Sequence, residues 1–203
     1  MTVAIVKYNA GNVQSVLYAL QRLGTNAIVT GDHEKIIAAD KVIFPGVGNA
    51  FSAMEYLKER KLDQLIISLK QPVLGICLGL QLMCNFSEEG NTKCLGIFDA
   101  DVKKFDESVF KDKNLIPYKI PHMGWNTIYD VSSPLMNGID ENSYMYFVHS
   151  YYAEVSPESI ATTDYINPFS AAMQKDNFYG VQFHTEKSAE TGEKILSNFL
   201  NVI

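Results

Sequence analysis

The chain has 203 residues, 47% of them apolar and 20% charged, which is typical of one globular domain with a full hydrophobic core. Its formal net charge of −6, without a cluster of Lys or Arg, argues against binding to nucleic acid. No apolar run approaches the roughly 18 residues that cross a bilayer. The N-terminus resembles a first strand rather than a signal peptide, so we expect a cytoplasmic protein that does not enter the membrane. Three cysteines and four scattered histidines favour neither a disulfide scaffold nor a structural metal site, and we expect no cofactor.

Apolar segments alternate with helical patterns through the first half of the chain. Strands are predicted at residues 3–8, 27–29, 41–44 and 73–76, and helical spacing of apolar residues covers 13–23, 54–69 and 78–83. Asn12 is the predicted N-cap of the first helix, and Gly24 its stop. This alternation predicts a mostly parallel central sheet with helices on both faces. Segments 144–148 and 178–183 suggest additional strands in the second half, before a C-terminal helix. We therefore predict one α/β domain over residues 1–203.

The segment 72–81, PVLGICLGLQ, carries the strongest functional signal. An apolar strand leads into Gly75-Ile76-Cys77-Leu78-Gly79 and then into a helix, the pattern of a nucleophile elbow with Cys in place of Ser. The two glycines remove side chains that would clash in so tight a turn. Cys77 would lie at a helix N-terminus, which favours the reactive thiolate, and the backbone N–H of Leu78 would point to an oxyanion. The other two cysteines keep the ordinary interpretation of buried or loop residues.

A cysteine nucleophile needs a base, and the segment 182–187, QFHTEK, offers one. In an extended backbone, His184 and Glu186 would face the same side while Thr185 turns away. The carboxylate would then hold the imidazole in one tautomer and stabilise its charged form. Taken alone, a His and a Glu at this spacing are at least as likely to be a surface pair as a catalytic pair. Together with the elbow, they indicate a Cys-His-Glu triad. His149 lacks a carboxylate at strand spacing, and the remaining two histidines are interpreted as surface or structural residues.

Several motifs resemble the triad, or class-I, glutamine amidotransferases, and among them the glutaminase subunits of imidazole glycerol phosphate synthases in histidine biosynthesis. The resemblance covers essentially the whole chain. Besides the elbow and the His-x-Glu pair, it rests on 8–12 (YNAGN), 45–48 (PGVG), 121–126 (PHMGWN), 147–152 (FVHSYY) and 182–188 (QFHTEKS). Two departures are Thr185, where the family commonly has Pro, and Lys7-Tyr8-Asn9, where it often has Asp-Tyr-Gly.

The resemblance implies a flavodoxin-like fold and a role for each motif. Cys77 would form a γ-glutamyl thioester and release ammonia, with His184 acting in both halves of the reaction and Glu186 orienting it. The oxyanion would be held by the backbone N–H groups of Val47 and Leu78. Glutamine would be bound by Gly48, Gln81, Glu89, Ser150 and Tyr151. The partner or the ammonia exit would be faced by Asn12, Trp125, Tyr146 and Lys187. The expected partner is a (β/α)-barrel cyclase subunit, in a heterodimer.

Three alternatives stay open at this stage. A triad amidotransferase that feeds another pathway, such as anthranilate or pyridoxal phosphate synthesis, shares the elbow and the His-x-Glu pair, although the Gly-Trp-Asn segment disfavours it. A Cys hydrolase on a similar scaffold would be separated by a glutaminase assay. A non-enzymatic flavodoxin-like binding module would not need the complete set of Cys77, His184 and Glu186.

Overall fold

The computed structural model describes residues 1–9, 13–106, 108 and 119–203. Its largest sheet has seven strands: β1 Val3–Val6, β2 Ala27–Thr30, β3 Lys41–Gly46, β4 Val73–Cys77, β11 Ser159–Tyr165, β12 Asn167–Lys175 and β13 Phe178–Val181. They lie in the order β11-β12-β13-β4-β3-β1-β2. The five strands from β13 to β2 run parallel, whereas β11, β12 and β13 pair antiparallel. The predicted parallel sheet with added strands is therefore confirmed.

Within the described residues, the two faces of this sheet are covered by six helices: α1 Val13–Arg22, α2 His33–Ile37, α3 Ala50–Glu59, α4 Leu62–Ser68, α5 Leu78–Met83 and α6 Ala189–Asn201. Alternate residues of β1 belong to two separate hydrophobic cores, Ala4 and Val6 to one and Val3 and Ile5 to the other. The first core takes the apolar residues of α2, α3 and α4, and the second takes those of α1 and α6. Because strand side chains alternate between faces, both faces of the sheet are buried, as a parallel sheet requires.

Two smaller sheets stand beside the main one. The first contains β5 Phe86–Ser87, β6 Thr92–Lys93, β7 Asp101–Lys104 and β10 Tyr151–Ala153, in the order β10-β7-β5-β6. The second is an antiparallel pair of β8 His122–Thr127 and β9 Tyr144–His149. These sheets hold the segments that follow the elbow helix and those that bear the Gly-Trp-Asn and His-Ser-Tyr motifs.

Several strand bounds differ from the sequence prediction by one to two residues, and two differences concern helices. The helical pattern over 54–69 is divided into α3 and α4, because Lys61 adopts a left-handed backbone with φ 55°. The short helix α2 was not predicted; it begins after Asp32, whose side chain accepts a hydrogen bond from the backbone of Lys35. Gly24 does end α1, with φ 73°. The predicted N-cap, Asn12, lies outside the described residues.

Candidate active site

The elbow around Cys77 is formed by the junction of β4 and α5. Cys77 is the last residue of β4 and has φ 54° and ψ −107°, a backbone that a non-glycine residue adopts only under constraint. A Cβ added to Gly79 would lie 1.8 Å from the carbonyl oxygen of Phe44 in β3, and one added to Gly75 would lie 2.8 Å from the backbone of Gly79. The two glycines therefore allow α5 to cross the sheet closely enough to hold the nucleophile at the strand end.

His184 and Glu186 form a buried pair. The Nδ1–H of His184 donates to Oε1 of Glu186 over 2.8 Å, and both side chains are at most 2% exposed. The largest single effect on the pKa of His184 is burial, which lowers it. The hydrogen bonds and charges of Cys77 and Glu186 together outweigh burial and raise this pKa to about 10. Nε2 has no hydrogen bond of normal geometry among the described residues, although the Cys77 side chain lies close enough to raise the pKa of this imidazole. The imidazole thus has one nitrogen fixed by the carboxylate and the other available for proton transfer.

The backbone between these two residues differs from the prediction. Residues Thr185–Lys187 form a 3₁₀ turn rather than an extended strand, and Thr185 is buried. The turn is closed by backbone hydrogen bonds from Lys187 to His184 and from Ser188 to Thr185. Its cause is the start of α6: Gly192 packs so closely that a Cβ there would lie 2.0 Å from the carbonyl oxygen of Thr185. His184 and Glu186 meet across this turn.

A cleft of about 250 Å³ opens beside the nucleophile. It is lined by Val47, Gly48, Cys77, Leu78, Gln81, Glu89, Val148, His149, Ser150 and Tyr151. The structure therefore brings together the nucleophile, both predicted oxyanion donors and all five predicted glutamine-binding residues. Register explains part of this arrangement: Gly46 of β3 lies opposite Cys77 of β4, so the loop after β3 reaches the same sheet edge as the nucleophile.

Two polar side chains of the cleft have fixed orientations. Nε2 of Gln81 donates to the carbonyl of Tyr151 (2.8 Å) and to Oε1 of Gln182 (2.9 Å). Both of its N–H groups are thus used, which leaves Oε1 of Gln81 as an acceptor. Glu89 accepts a hydrogen bond from the backbone N–H of Ala50, at the start of α3, over 2.7 Å. Burial raises the pKa of Glu89, and this hydrogen bond opposes the rise.

The predicted interface residues lie away from the cleft lining. Trp125 and Tyr146 are directly opposite each other on β8 and β9, with ring centroids 5.8 Å apart, and Lys187 Nζ lies 5.8 Å from the Tyr146 ring. Trp125 is 52% exposed and its neighbour Met123 is 64% exposed. An aromatic, solvent-facing surface of this kind is typical of protein–protein contacts. The fourth interface prediction, Asn12, lies outside the described residues.

Sequence reasoning missed two sets of buried polar residues. Gln182 is fully buried, and its Nε2 donates to Sγ of Cys77 over 3.6 Å. His122 and His149 form a buried pair with a separation of 3.0 Å between Nδ1 and Nε2, and His149 Nδ1 lies 2.8 Å from the carbonyl oxygen of Tyr151. The only signal for Gln182 was its place two residues before His184. The histidine pair arises from the register of β8 and β9, in which His122 lies opposite His149, and local sequence patterns do not predict that register.

The other cysteines have no catalytic surroundings. Cys84 and Cys94 are buried, and burial raises the pKa of Cys84 strongly and that of Cys94 to about 12. Both thiols are therefore held in the unreactive neutral form. Among the described residues, no group of three or more His, Cys, Asp or Glu side chains is arranged to hold a metal ion. No helix in those residues has the length and hydrophobicity to span a membrane.

Comparison with known proteins gives a consistent result. A profile described as glutamine amidotransferase class-I matches residues 4–203. The chain is 59% identical over 202 residues to a Bacteroides fragilis protein named imidazole glycerol phosphate synthase subunit HisH, and 46% identical over 204 residues to the Escherichia coli protein of the same name, with complete coverage of both chains in each case.

Solved structures of low sequence identity share the fold. A Thermoplasma acidophilum protein described as a putative GMP synthase component superimposes with a TM-score of 0.75 at 18% identity, covering 100% of this chain and 93% of that one. A chain of the PurLQS structure from Thermotoga maritima gives 0.71 at 15% identity, covering 99% and 98%.

Proposed function

This chain belongs to the class-I glutamine amidotransferase family, and we propose that it is the glutamine-hydrolysing subunit of an imidazole glycerol phosphate synthase. The observation that carries this proposal is the strained Cys77 elbow, which lies in one cleft with the predicted glutamine-binding residues. The buried His184–Glu186 pair is near enough that the Cys77 side chain raises the pKa of His184. Relatives named as this subunit match the chain from end to end, which favours histidine biosynthesis over the other amidotransferase pathways.

The cleft has acceptor groups suited to the α-ammonium end of glutamine. The Glu89 carboxylate and the free Oε1 of Gln81 would accept hydrogen bonds from the α-ammonium group. Ser150 and Tyr151 also line the cleft, and Gly48, with φ 125°, leaves open space where any other residue would place a Cβ. Bound in this way, the side-chain amide of glutamine would lie beside Sγ of Cys77.

The chemistry begins with attack of the Cys77 thiolate on the amide carbon of glutamine. The carbonyl π electrons move to oxygen, and the backbone N–H groups of Leu78 and Val47 stabilise that oxyanion. His184, protonated and held by Glu186, gives its Nε2 proton to the departing nitrogen, so the C–N bond breaks and ammonia leaves. His184 then takes a proton from water as the water attacks the thioester. Collapse of the second oxyanion breaks the C–S bond and releases glutamate.

The ammonia requires a second active site. Ammonia released into water at neutral pH is mostly protonated and no longer nucleophilic, so a partner must receive it directly. The exposed face of β8 and β9, with Trp125, Tyr146 and Lys187, is the surface we assign to that partner. The partner is a (β/α)-barrel cyclase that closes the imidazole ring, giving imidazole glycerol phosphate and AICAR, and the complex is a heterodimer.

A reconstitution experiment tests this function. The chain is co-purified with its cyclase, and release of glutamate is measured with glutamine, with and without the cyclase ligand. Cys77→Ala should lose glutamate release, while the complex still forms product from added ammonium salts. Glutamate release by the variant would overturn the assignment of the nucleophile. A wild-type complex that releases no glutamate would overturn the proposed activity, and stable pairing with a different synthase would overturn the pathway.

A further inference from the structure

Gln182 lies at the nucleophile because of the sheet register. It follows directly after β13, where Val181 is paired with Ile76, the residue before Cys77 in the parallel neighbour β4. Its backbone N–H donates to the carbonyl of Ala171 in β12, and its side chain is fully buried. A buried primary amide needs partners for both of its ends, and the identity of those partners determines which end faces the sulfur.

The hydrogen-bond chain around Gln182 has only one consistent direction. The carbonyl of Tyr151 can only accept, so the NH₂ group of Gln81 must face it (2.8 Å). The same NH₂ group donates its second proton over 2.9 Å, which requires the oxygen of Gln182 on that side. The NH₂ group of Gln182 is thereby directed to Sγ of Cys77 over 3.6 Å. A flipped Gln182 amide would place two donors against each other at Gln81.

From this arrangement we propose that Gln182 is a positioning residue, which holds the Cys77 sulfur for attack and stabilises it as the thiolate. A thiolate accepts hydrogen bonds and cannot donate them, so an N–H group aimed at the sulfur favours the ionised form. The carbonyl oxygen of Val148 also faces this sulfur and favours the thiol, but it lies farther away, at 4.0 Å. Gln182 exchanges no proton and does not contact the glutamine carbon. Its amide is held in this orientation by Gln81, which lines the substrate cleft. Gln81 and Gln182 thus connect the binding site to the nucleophile. The inference rests on the proposed glutaminase function.

The test measures the ionisation of Cys77 without any substrate. The rate of carbamidomethylation of Cys77 is followed by peptide mass spectrometry over a range of pH, in the wild type, Gln182→Met and Gln182→Glu. The matched control is Gln174→Met, the same change on the adjacent strand β12, where the amide contacts Ser133 and Tyr179. Hydrogen bonds to charged groups are worth roughly one to two pKa units. Gln182→Met should therefore move the midpoint of the pH profile upward by about one unit, and Gln182→Glu should move it further because a carboxylate then lies by the sulfur.

Steady-state kinetics with the cyclase complex supply a second reading. Gln182→Met should lower kcat about tenfold while KM changes less, and Gln174→Met should change neither. If Gln182→Met does not fold, Gln182→Asn replaces it in the test. The shorter side chain moves the amide donor away from the sulfur, so the midpoint of the alkylation pH profile should shift upward in the same way. A folded Gln182 variant with the wild-type midpoint and kcat would overturn the inference. The alkylation profile is measured without glutamine, so it tests this inference even if the proposed function is wrong. Failure of the proposed function would appear instead as a wild-type complex without glutaminase activity.

Discussion

Replacing Gly79 by Ala sets two physical effects of opposite sign against each other. Gly79 lies in α5, and by helix propensity alone the change to Ala would stabilise the protein by about 1 kcal/mol. The added Cβ, however, would lie 1.8 Å from the backbone oxygen of Phe44 in the buried strand β3. Neither atom belongs to a flexible side chain, so the helix must move away from the sheet. Overpacking typically costs about 1–3 kcal/mol, and a backbone collision belongs at the upper end of that range, which exceeds the gain from propensity.

We therefore expect Gly79→Ala to lower the free energy of unfolding by about 2 kcal/mol or more, measured by urea denaturation. The same displacement would move Leu78 and Cys77, and a misplacement of about 1 Å at a reaction centre costs roughly a hundredfold in rate. Glutaminase activity of the cyclase complex should fall accordingly. The control is Gly24→Ala, where the Cβ has no neighbour within 4 Å and φ is 73°, so that only the backbone penalty of about 1 kcal/mol applies and activity is kept.

A stabilised and fully active Gly79→Ala variant would refute this reasoning. It would mean that propensity outweighs the close approach, and that the elbow does not depend on contact between the helix and β3. A loss of stability equal to that of Gly24→Ala, with activity unchanged, would count against the argument in the same way.

Three further predictions concern the buried histidines, the triad and the interface. Burial lowers the pKa of His122 to about 4 and that of His149 to about 3, so both are neutral in the folded chain. As the pH falls, the unfolded chain takes up these protons before the folded chain does, so the stability contributed by the two neutral histidines is present above about pH 6.5 and is lost as the pH falls toward 4 and 3. Urea denaturation should therefore give a lower free energy of unfolding at pH 5 than at pH 7, and equal values would contradict this prediction. Glu186→Gln should retain more glutaminase activity than His184→Ala, since an amide still holds the ring; equal losses in kcat would remove support for the orienting role. Trp125→Ala should weaken binding to the cyclase by about 2 kcal/mol in calorimetry, as for aromatic hot spots, with no change in unfolding free energy; unchanged affinity would place the interface elsewhere.

Local sequence was sufficient for the elbow and for most of the sheet. The glycines at 75 and 79, between an apolar strand and a helix, predicted the elbow, and the structure has the predicted junction, although the contact that excludes a side chain at Gly79 comes from Phe44 in the neighbouring strand β3. Parallel strands likewise follow from alternating apolar segments and helices. Boundaries depended on single backbone angles, such as the left-handed Lys61 that separates α3 from α4, and no propensity argument identified it.

Contacts between strands that are far apart in the chain could not be predicted from the sequence pattern. The Gln182 amide reaches Cys77 only because β13 lies beside β4 in one particular register, and the two residues are 105 positions apart. The turn between His184 and Glu186 was predicted as extended because the pattern was considered without α6, whose close packing at Gly192 bends the chain. Periodicity gives the type of an element but not the neighbours that it meets.

The role of Cys77 as the nucleophile is tested by trapping the acyl-enzyme. The cyclase complex is mixed with glutamine, quenched in acid at a series of times that begin within the first turnover, and digested for peptide mass spectrometry. We predict a γ-glutamyl thioester on Cys77 that is absent from Cys84 and Cys94, accumulates before the steady state and disappears in Cys77→Ala. Turnover of glutamine with no acyl group on Cys77, or continued turnover in Cys77→Ala, would contradict it.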